Sequence, residues 1–262
     1  MYKGITGKIA IITGASRGIG KAIALALASE GARIAICARE ETDLKIAADE
    51  IRVNTHTDVI SLKANTMKTN DIHRFVGATV KKYGRIDLLV NNAGEAHVGG
   101  VFTTTDEEWE HHIQLKLLGY IRMCREVAQH MKSSGGGRII NIVGTTGREP
   151  EPLSMVQGVL NGALLNFTKS LSKELASDRI TVNCINPATT DTQLSESIFK
   201  SLSAILRTPA DELRQKVTRM LNGSLIRTED IAQAVLFLAS DAAKSISGTS
   251  ITIDAGSLRG VW

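Results

Sequence analysis

A glycine-rich turn lies between an apolar run and a helical segment near the start of the chain. The run Ile9–Thr13 leads into Thr13-Gly14-Ala15-Ser16-Arg17-Gly18-Ile19-Gly20, and the following segment Lys21–Ser29 is rich in alanine and leucine. Glycines at this spacing let the backbone turn sharply and approach a phosphate closely, while the helix start offers free N–H groups and a positive dipole end. The pattern predicts a strand–turn–helix unit that binds a dinucleotide, with contacts from Gly14, Ser16, Arg17, Gly18, Ile19 and Gly20.

The rest of the chain alternates short apolar runs with helical patterns. Alternation of this kind predicts an α/β fold, a Rossmann-type doubly wound parallel sheet with helices on both faces, and we expect one domain over residues 1–262. Residues 193–222 break the rhythm and predict a small helical insertion before the last strand. The predicted strands are Ile9–Thr13, Arg33–Cys37, Val59–Lys63, Leu88–Asn91, Arg138–Val143, Thr181–Ile185 and Ser250–Asp254, and the clearest helices are Lys21–Ser29, Asp106–Lys132, Leu153–Ser177 and Asp230–Ser240.

Composition narrows the classes of partner. The net charge of +4 comes from scattered basic residues, whereas nucleic-acid binding needs a clustered basic patch, so no nucleic-acid partner is expected. No apolar run approaches the roughly 18–20 residues that span a bilayer, and no signal-peptide pattern opens the chain. We therefore expect a cytoplasmic protein without a membrane partner, in which Cys37, Cys124 and Cys184 are reduced and buried. The histidines show no metal-ligand spacing.

The end of the second predicted strand bears on the choice of cofactor. NAD-binding chains usually place an acid about 20 residues after the glycines, where it accepts a hydrogen bond from the ribose 2′-hydroxyl. Here Ala38 and Arg39 stand at the tip of the strand, and Glu40 comes one residue too late. A guanidinium pairs well with a phosphate, so the sequence predicts NADP(H) rather than NAD(H), with Arg17 as a second cation. The alternative for Arg39 is a solvated arginine in the first helical turn.

At this point the chain resembles the short-chain dehydrogenase/reductase family over nearly its whole length. The resemblance rests on the Thr13–Gly20 turn, on Asn91-Asn92-Ala93-Gly94, on the stretch 186–192 and on Asp254-Ala255-Gly256. It implies an oxidoreductase that acts on a small-molecule substrate and forms a homodimer or homotetramer. It also implies that Asn65 and Thr66 flank the adenine, and that further cofactor contacts come from Asn91, Ala93, Gly94, Pro187, Thr190 and Thr192.

The family's catalytic asparagine, serine, tyrosine and lysine are all replaced in this chain. By local register, Lys116 stands at the asparagine position, Gly144 at the serine, Gln157 at the tyrosine and Asn161 at the lysine. Glutamine cannot exchange a proton at neutral pH, and loss of a positioned acid or base typically lowers the rate by about 10²–10⁴. Gly144 and Gln157 together suggest a roomier, amide-lined pocket.

Several residues are candidates for the missing proton transfer. Lys116 is the first, because a desolvated lysine titrates nearer neutrality; its alternative is a side chain that extends to solvent. His97, His112 and Tyr120 are the others.

Two functions stay open. The first is an NADP(H)-dependent oxidoreductase with a non-standard active site, which acts on a carbonyl/alcohol pair or an activated C=C bond. The second is a catalytically inactive NADP(H)-binding sensor or structural partner. The resemblance implies that residues 193–222 form a substrate lid; their apolar positions suit a partly apolar ligand or pack on the body of the domain. The tail Leu258–Trp262 is expected to make a subunit contact.

Overall fold

Seven parallel strands form one sheet, in the order β3-β2-β1-β4-β5-β6-β7. The computed structural model describes residues 2–260, and it confirms the predicted doubly wound α/β fold. The chain reverses its direction of winding between β1 and β4, and ligands of open α/β sheets bind in the crevice at such a switch point. The strands are β1 (Ile9–Thr13), β2 (Arg33–Ala38), β3 (Val59–Lys63), β4 (Leu88–Asn91), β5 (Gly137–Ile142), β6 (Ile180–Pro187) and β7 (Ser250–Ile253).

Helices connect the strands and cover both faces of the sheet. The predicted single helix over Asp106–Lys132 is wrong in one respect, because a π-helical turn at Ile113–Leu117 interrupts it. The predicted insertion 193–222 contains two helices, α7 and α8. The helices are α1 (Gly18–Ser29), α2 (Glu41–Thr55), α3 (Thr69–Tyr83), α4 (Asp106–His112), α5 (Leu118–Ser133), α6 (Met155–Glu174), α7 (Gln193–Leu206), α8 (Ala210–Met220) and α9 (Thr228–Ala239).

The core lies in two layers, one on each face of the sheet. Neighbouring residues of a strand point to opposite faces, so Ile12 packs in the layer that contains α1 and α9, and Ile11 packs in the layer that contains α3 and α5. Because both faces are covered, β1 is buried along its whole length. This explains why the strands are continuously apolar and why their carboxyl ends form a fixed platform for a site.

Three further findings concern the cysteines, helix length and the C-terminal tail. The cysteines Cys37, Cys124 and Cys184 are free and buried. Within residues 2–260, no helix is both long and apolar enough to cross a membrane. The expected subunit contact of the tail depends on Val261 and Trp262, which lie outside the described residues.

A buried chain of polar side chains ties the centre of the sheet to α6. The Asn91 amide donates to Asn141 Oδ1 at 2.9 Å, and the Asn141 amide donates to Thr168 Oγ1 at 3.0 Å. All three residues are essentially inaccessible to water. Buried polar groups without a partner are costly, so the register of β4, β5 and α6 depends on this chain of bonds.

We expect the substitution Asn141→Leu to lower the free energy of unfolding by about 2–4 kcal/mol, because it leaves the buried polar groups of two neighbours without their partner. Urea unfolding followed by circular dichroism measures this change. Thr168→Ser, which retains the hydroxyl, is the control and should cost markedly less. Equal losses in the two variants would contradict a role for hydrogen bonding here.

Candidate dinucleotide site

The glycine turn lies against the end of β4. The N–H of Gly14 donates to the Cys37 carbonyl at 2.8 Å, and Gly14 has a φ of +65°, where residues with a Cβ are strained. A Cβ at Gly14 would also come within 2.7 Å of the Ala93 Cα. A larger residue would therefore separate the turn from β4 and close the space above α1.

Asn92 holds this close approach in place. Its Nδ2 donates to the carbonyls of Thr13 and Gly14 at 3.1 and 3.0 Å, and the Thr13 hydroxyl accepts from the N–H groups of Asn92 and Ala93. A Cβ at Gly20 would collide with the Gly14 carbonyl and the Asn92 amide. The sequence predicted cofactor contacts from Asn91, Ala93 and Gly94 and did not identify Asn92. The position of its amide next to the glycine turn could have indicated a structural role.

A cavity of about 560 Å³ opens above the glycine turn at the carboxyl ends of β1, β2 and β4. Several of the residues predicted to bind the cofactor line it, and so does the apolar side chain of Leu194 at the start of α7. The predicted residues in its wall are Gly14, Ser16, Arg17, Gly18, Ile19, Arg39, Thr66, Ala93, Gly94 and Thr192. The structure thus brings ten of the fifteen into one cavity wall.

The other predicted cofactor contacts face elsewhere. Asn91 is buried and bonds to Asn141, and Gly20 packs beneath the turn. The Asn65 Oδ1 accepts from the Met67 N–H at 3.0 Å, at the start of α3. Pro187 is the last residue of β6, and Thr190 donates its hydroxyl to the Ala188 carbonyl at 2.9 Å.

The two predicted phosphate-binding arginines both have protein partners. Arg39 forms an ion pair with Glu95, the residue that follows Ala93-Gly94 in the loop after β4. Arg17, the residue before α1, donates to the Gln193 side chain at 3.1 Å. Arg39, Glu95 and Gln193 all line the cavity. The acid that was absent from the tip of β2 is thus supplied by the loop after β4.

The cavity fits a dinucleotide on three observations. The glycine turn leaves a space that side chains would fill, and the α1 start presents its N–H groups there. The Thr66 hydroxyl, in the cavity wall, is buried without a protein partner. The Oδ1 of Asn161 is also buried and without a protein partner, but Asn161 lies outside this cavity wall.

Lys116 lies in the π-helical turn between α4 and α5. Its Nζ donates to the carbonyl of Val143 at 2.8 Å, at the end of β5 and one residue before Gly144. Burial lowers the pKa of Lys116 to about 8, so its ammonium can release a proton near neutral pH. Its side chain points inward, which excludes the alternative of a lysine that extends to solvent.

Gly144 adopts a backbone conformation that a serine would not readily share. Its φ of +134° and ψ of 151° lie in a region that is almost exclusive to glycine. A Cβ there would come within 2.8 Å of the Asn161 amide nitrogen. The chain continues from Gly144 directly into the turn Thr145–Gly147.

The side-chain amides of Gln157 and Asn161 form hydrogen bonds within the protein. The Gln157 nitrogen donates to the His97 carbonyl at 2.8 Å, and its oxygen accepts from the His97 N–H. The Asn161 amide donates to Thr146 Oγ1 at 2.8 Å. Gln157 thus fastens the loop after β4 to α6 rather than presenting its amide to the cavity.

The other proton-transfer candidates lie in protein contacts. His112 is buried edge-to-face against the rings of His97 and His111, and burial, with the charges of these two neighbours, lowers its pKa. His97 bonds to the Thr104 hydroxyl at 2.9 Å. Tyr120 is buried, donates to the Ile142 carbonyl at 2.9 Å, and has a raised pKa because of burial. Among the described residues, no cluster could hold a metal ion.

Comparison with a family model decides the family. The short chain dehydrogenase model matches residues 8–203, which contain both the glycine turn and Lys116. The chain belongs to the short-chain dehydrogenase family. It is 32% identical over 254 residues to a 3-oxoacyl-[acyl-carrier-protein] reductase of Synechocystis sp., a match that covers 96% of this chain and 97% of the relative.

Solved structures of short-chain dehydrogenases share the whole fold. L-sorbose reductase from Gluconobacter frateurii, complexed with NADPH and L-sorbose, has a TM-score of 0.93 and 30% identity, with full coverage of both chains. The 3-ketoacyl-(acyl-carrier-protein) reductase from Brucella melitensis, complexed with NADH, has a TM-score of 0.84 and 27% identity, and the match covers 97% of this chain and 99% of that one. The chain therefore has the fold of a short-chain dehydrogenase-type oxidoreductase, with a site for a nicotinamide cofactor.

A serine in place of Gly144 should destabilise the protein. We expect Gly144→Ser to lower the free energy of unfolding by about 1–3 kcal/mol, because the backbone conformation at Gly144 strains any residue with a Cβ. The control is Gly77→Ala in α3, where a Cβ meets open space, and it should stabilise the protein by about 0.5–1 kcal/mol. Thermal unfolding measures both changes. A Gly144→Ser variant as stable as the wild type would refute the backbone argument.

Proposed function

We propose that this short-chain dehydrogenase is an NADP(H)-dependent oxidoreductase that reduces a carbonyl group, with Lys116 as the proton donor. The observation that carries the proposal is the buried Lys116 ammonium at the end of β5, with its pKa lowered to about 8. Lys116 is the one ionisable residue among the four replaced positions. An acid whose pKa lies near the operating pH is well matched to proton transfer.

The residues that would hold the cofactor divide between its phosphates, its adenosine and its ribose. The glycine turn and the start of α1 would bind the pyrophosphate, and Thr66 would lie beside the adenine. Arg39, with Arg17 nearby, would pair with the 2′-phosphate, which favours NADP(H) over NAD(H). The carboxamide of Asn161 would take part of the ribose-binding role that a lysine has elsewhere in the family.

The chemistry needs one hydride and one proton. NADPH, when bound, would supply the hydride to the carbonyl carbon. Lys116 gives a proton to the substrate oxygen and is left as a neutral amine, which a partly buried site favours over the ammonium. An activated C=C bond is the alternative acceptor, because its reduction needs the same hydride and a single proton.

The relatives support a ketone as the substrate. Two of them are reductases named for a 3-oxoacyl group and for the ketose L-sorbose. We infer that α7 and α8 form a lid, since Thr192, Gln193 and Leu194 bring the start of α7 into the cavity wall. Leu194, Ile205 and Leu206 are exposed on α7, which suits a partly apolar substrate or a contact in a homodimer or homotetramer.

A second candidate function is that of a nucleotide-binding protein without turnover, a sensor or a structural partner. The observation that favours it is that Gln157 and Asn161 bond to the protein's own backbone and side chains. The cavity wall includes none of the four replaced positions. In this function the dinucleotide would order the loops above the sheet rather than react.

Turnover distinguishes the two functions. NADPH oxidation is followed at its absorbance with a panel of ketones, ketoacyl thioesters, quinones and enoyl thioesters. We expect a ketone to be reduced, and Lys116→Met to lower kcat/KM by about 10²–10⁴, the contribution of a positioned acid. Lys173→Met, an exposed lysine of α6, is the control and should retain activity.

The pH profile adds an independent check on the proton donor. Because Lys116 acts as an acid, kcat/KM should be constant below about pH 8 and fall as the pH rises through its pKa of about 8. The inflection should disappear in Lys116→Met. NADPH binding without turnover of any substrate would favour the second function, and unchanged activity in Lys116→Met would exclude Lys116 as the donor.

Cofactor preference tests the role of Arg39. Isothermal titration calorimetry with NADPH and NADH should show tighter binding of NADPH by the wild type. Arg39→Asp should reverse this order, since it places a carboxylate where a ribose 2′-hydroxyl can donate to it and a 2′-phosphate is repelled. Lys45→Asp in α2, which makes the same charge change on the protein surface, is the control. An unchanged preference in Arg39→Asp would show that another cation binds the phosphate.

A further inference from the structure

An acidic side chain holds the cation that the proposed function assigns to the 2′-phosphate. Glu95 forms an ion pair with Arg39 through one carboxylate oxygen, and its other oxygen bonds to His111 Nε2 at 2.9 Å. The side chain of Arg39 is exposed (44%) and that of Glu95 is half-buried (31% exposed), and both line the cavity above the glycine turn. A 2′-phosphate that approaches Arg39 therefore meets a carboxylate on the same guanidinium.

The location of Glu95 explains why its role is hidden in the sequence. Chains that bind NAD usually carry an acid at the end of β2, and this chain has Ala38 and Arg39 there. Glu95 instead extends from the loop after β4, and the fold places it beside the tip of β2. The site thus contains both a cation, which favours binding of a 2′-phosphate, and a carboxylate, which disfavours it.

Glu95 is held ionised and in place from two sides. Burial alone would raise its pKa, but the hydrogen bond to His111 and the charge of Arg39 hold that pKa below its usual range. His111 belongs to α4, which begins with a capping box at Thr105 and Glu108. The carboxylate is consequently anchored to a helix on one side and to the cofactor-facing arginine on the other.

We propose that Glu95 is a specificity-determining residue that competes with the 2′-phosphate for Arg39 and so limits the preference of the protein for NADP(H) over NAD(H). The proposal rests on the proposed function, because it requires a dinucleotide in this cavity. NAD(H) has a hydroxyl in place of the 2′-phosphate. A hydroxyl can donate to the carboxylate and meets no repulsion from it. Glu95 therefore weakens the binding of NADP(H) but not that of NAD(H).

The test measures binding of NADPH and NADH by calorimetry to the full-length protein. Glu95→Gln should tighten NADPH binding about tenfold, the effect of removing one unfavourable charge interaction of moderate size, with little change for NADH. Glu110→Gln, an exposed glutamate of α4 outside the cavity, removes the same charge and should leave the ratio of the two affinities unchanged.

A conservative variant separates charge from folding. Glu95→Asp retains the carboxylate. The ratio of its NADPH affinity to its NADH affinity should therefore stay close to that of the wild type. If Glu95→Gln leaves the ratio unchanged or lowers it, or if Glu95→Asp raises it as much as Glu95→Gln does, the proposal is overturned while dinucleotide binding stands. If the wild type binds neither cofactor, the proposed function fails, and this proposal fails with it.

Discussion

The close approach of the glycine turn to the end of β4 is the contact on which the site depends. Asn92 bonds to two carbonyls of the turn, and the Thr13 hydroxyl bonds back to the backbone of β4. These bonds fix the start of α1 over the switch point of the sheet, where its N–H groups face an open cavity. The adenosine ribose and phosphate contacts proposed above all assume this geometry.

The half of the site around the reacting carbon is arranged differently from the half that binds the dinucleotide. Gln157 and Asn161 bond to neighbouring loops, and Gly144 turns the backbone away from the path that a serine could follow. Lys116 alone keeps an ionisable group there, and burial moves its pKa toward neutrality. A Cβ at Gly144 would come within 2.8 Å of the Asn161 amide nitrogen, so the glycine leaves room for that amide.

A series of side-chain contacts connects the two halves of the site. Glu95 lies one residue after Gly94, bonds to Arg39 at the adenosine end, and contacts His111 on α4. The His111 ring packs against His112, whose ring meets His97, and the backbone of His97 pairs with Gln157. A continuous row of contacts thus runs from Arg39 at the tip of β2 to Gln157 on α6.

The sequence by itself determined the fold and the glycine turn, because apolar periodicity and glycine spacing are local signals that short-range sterics enforce. It did not reveal Asn92 as the tie to the turn, the π-helical break in the helix over 106–132, or the pairing of Gln157 with His97. It also read the tip of β2 as free of acids. Only the tertiary structure brought Glu95 to Arg39, because that contact joins segments after β2 and β4 that are far apart in sequence, and an ion pair between two such segments leaves no periodic pattern in the chain.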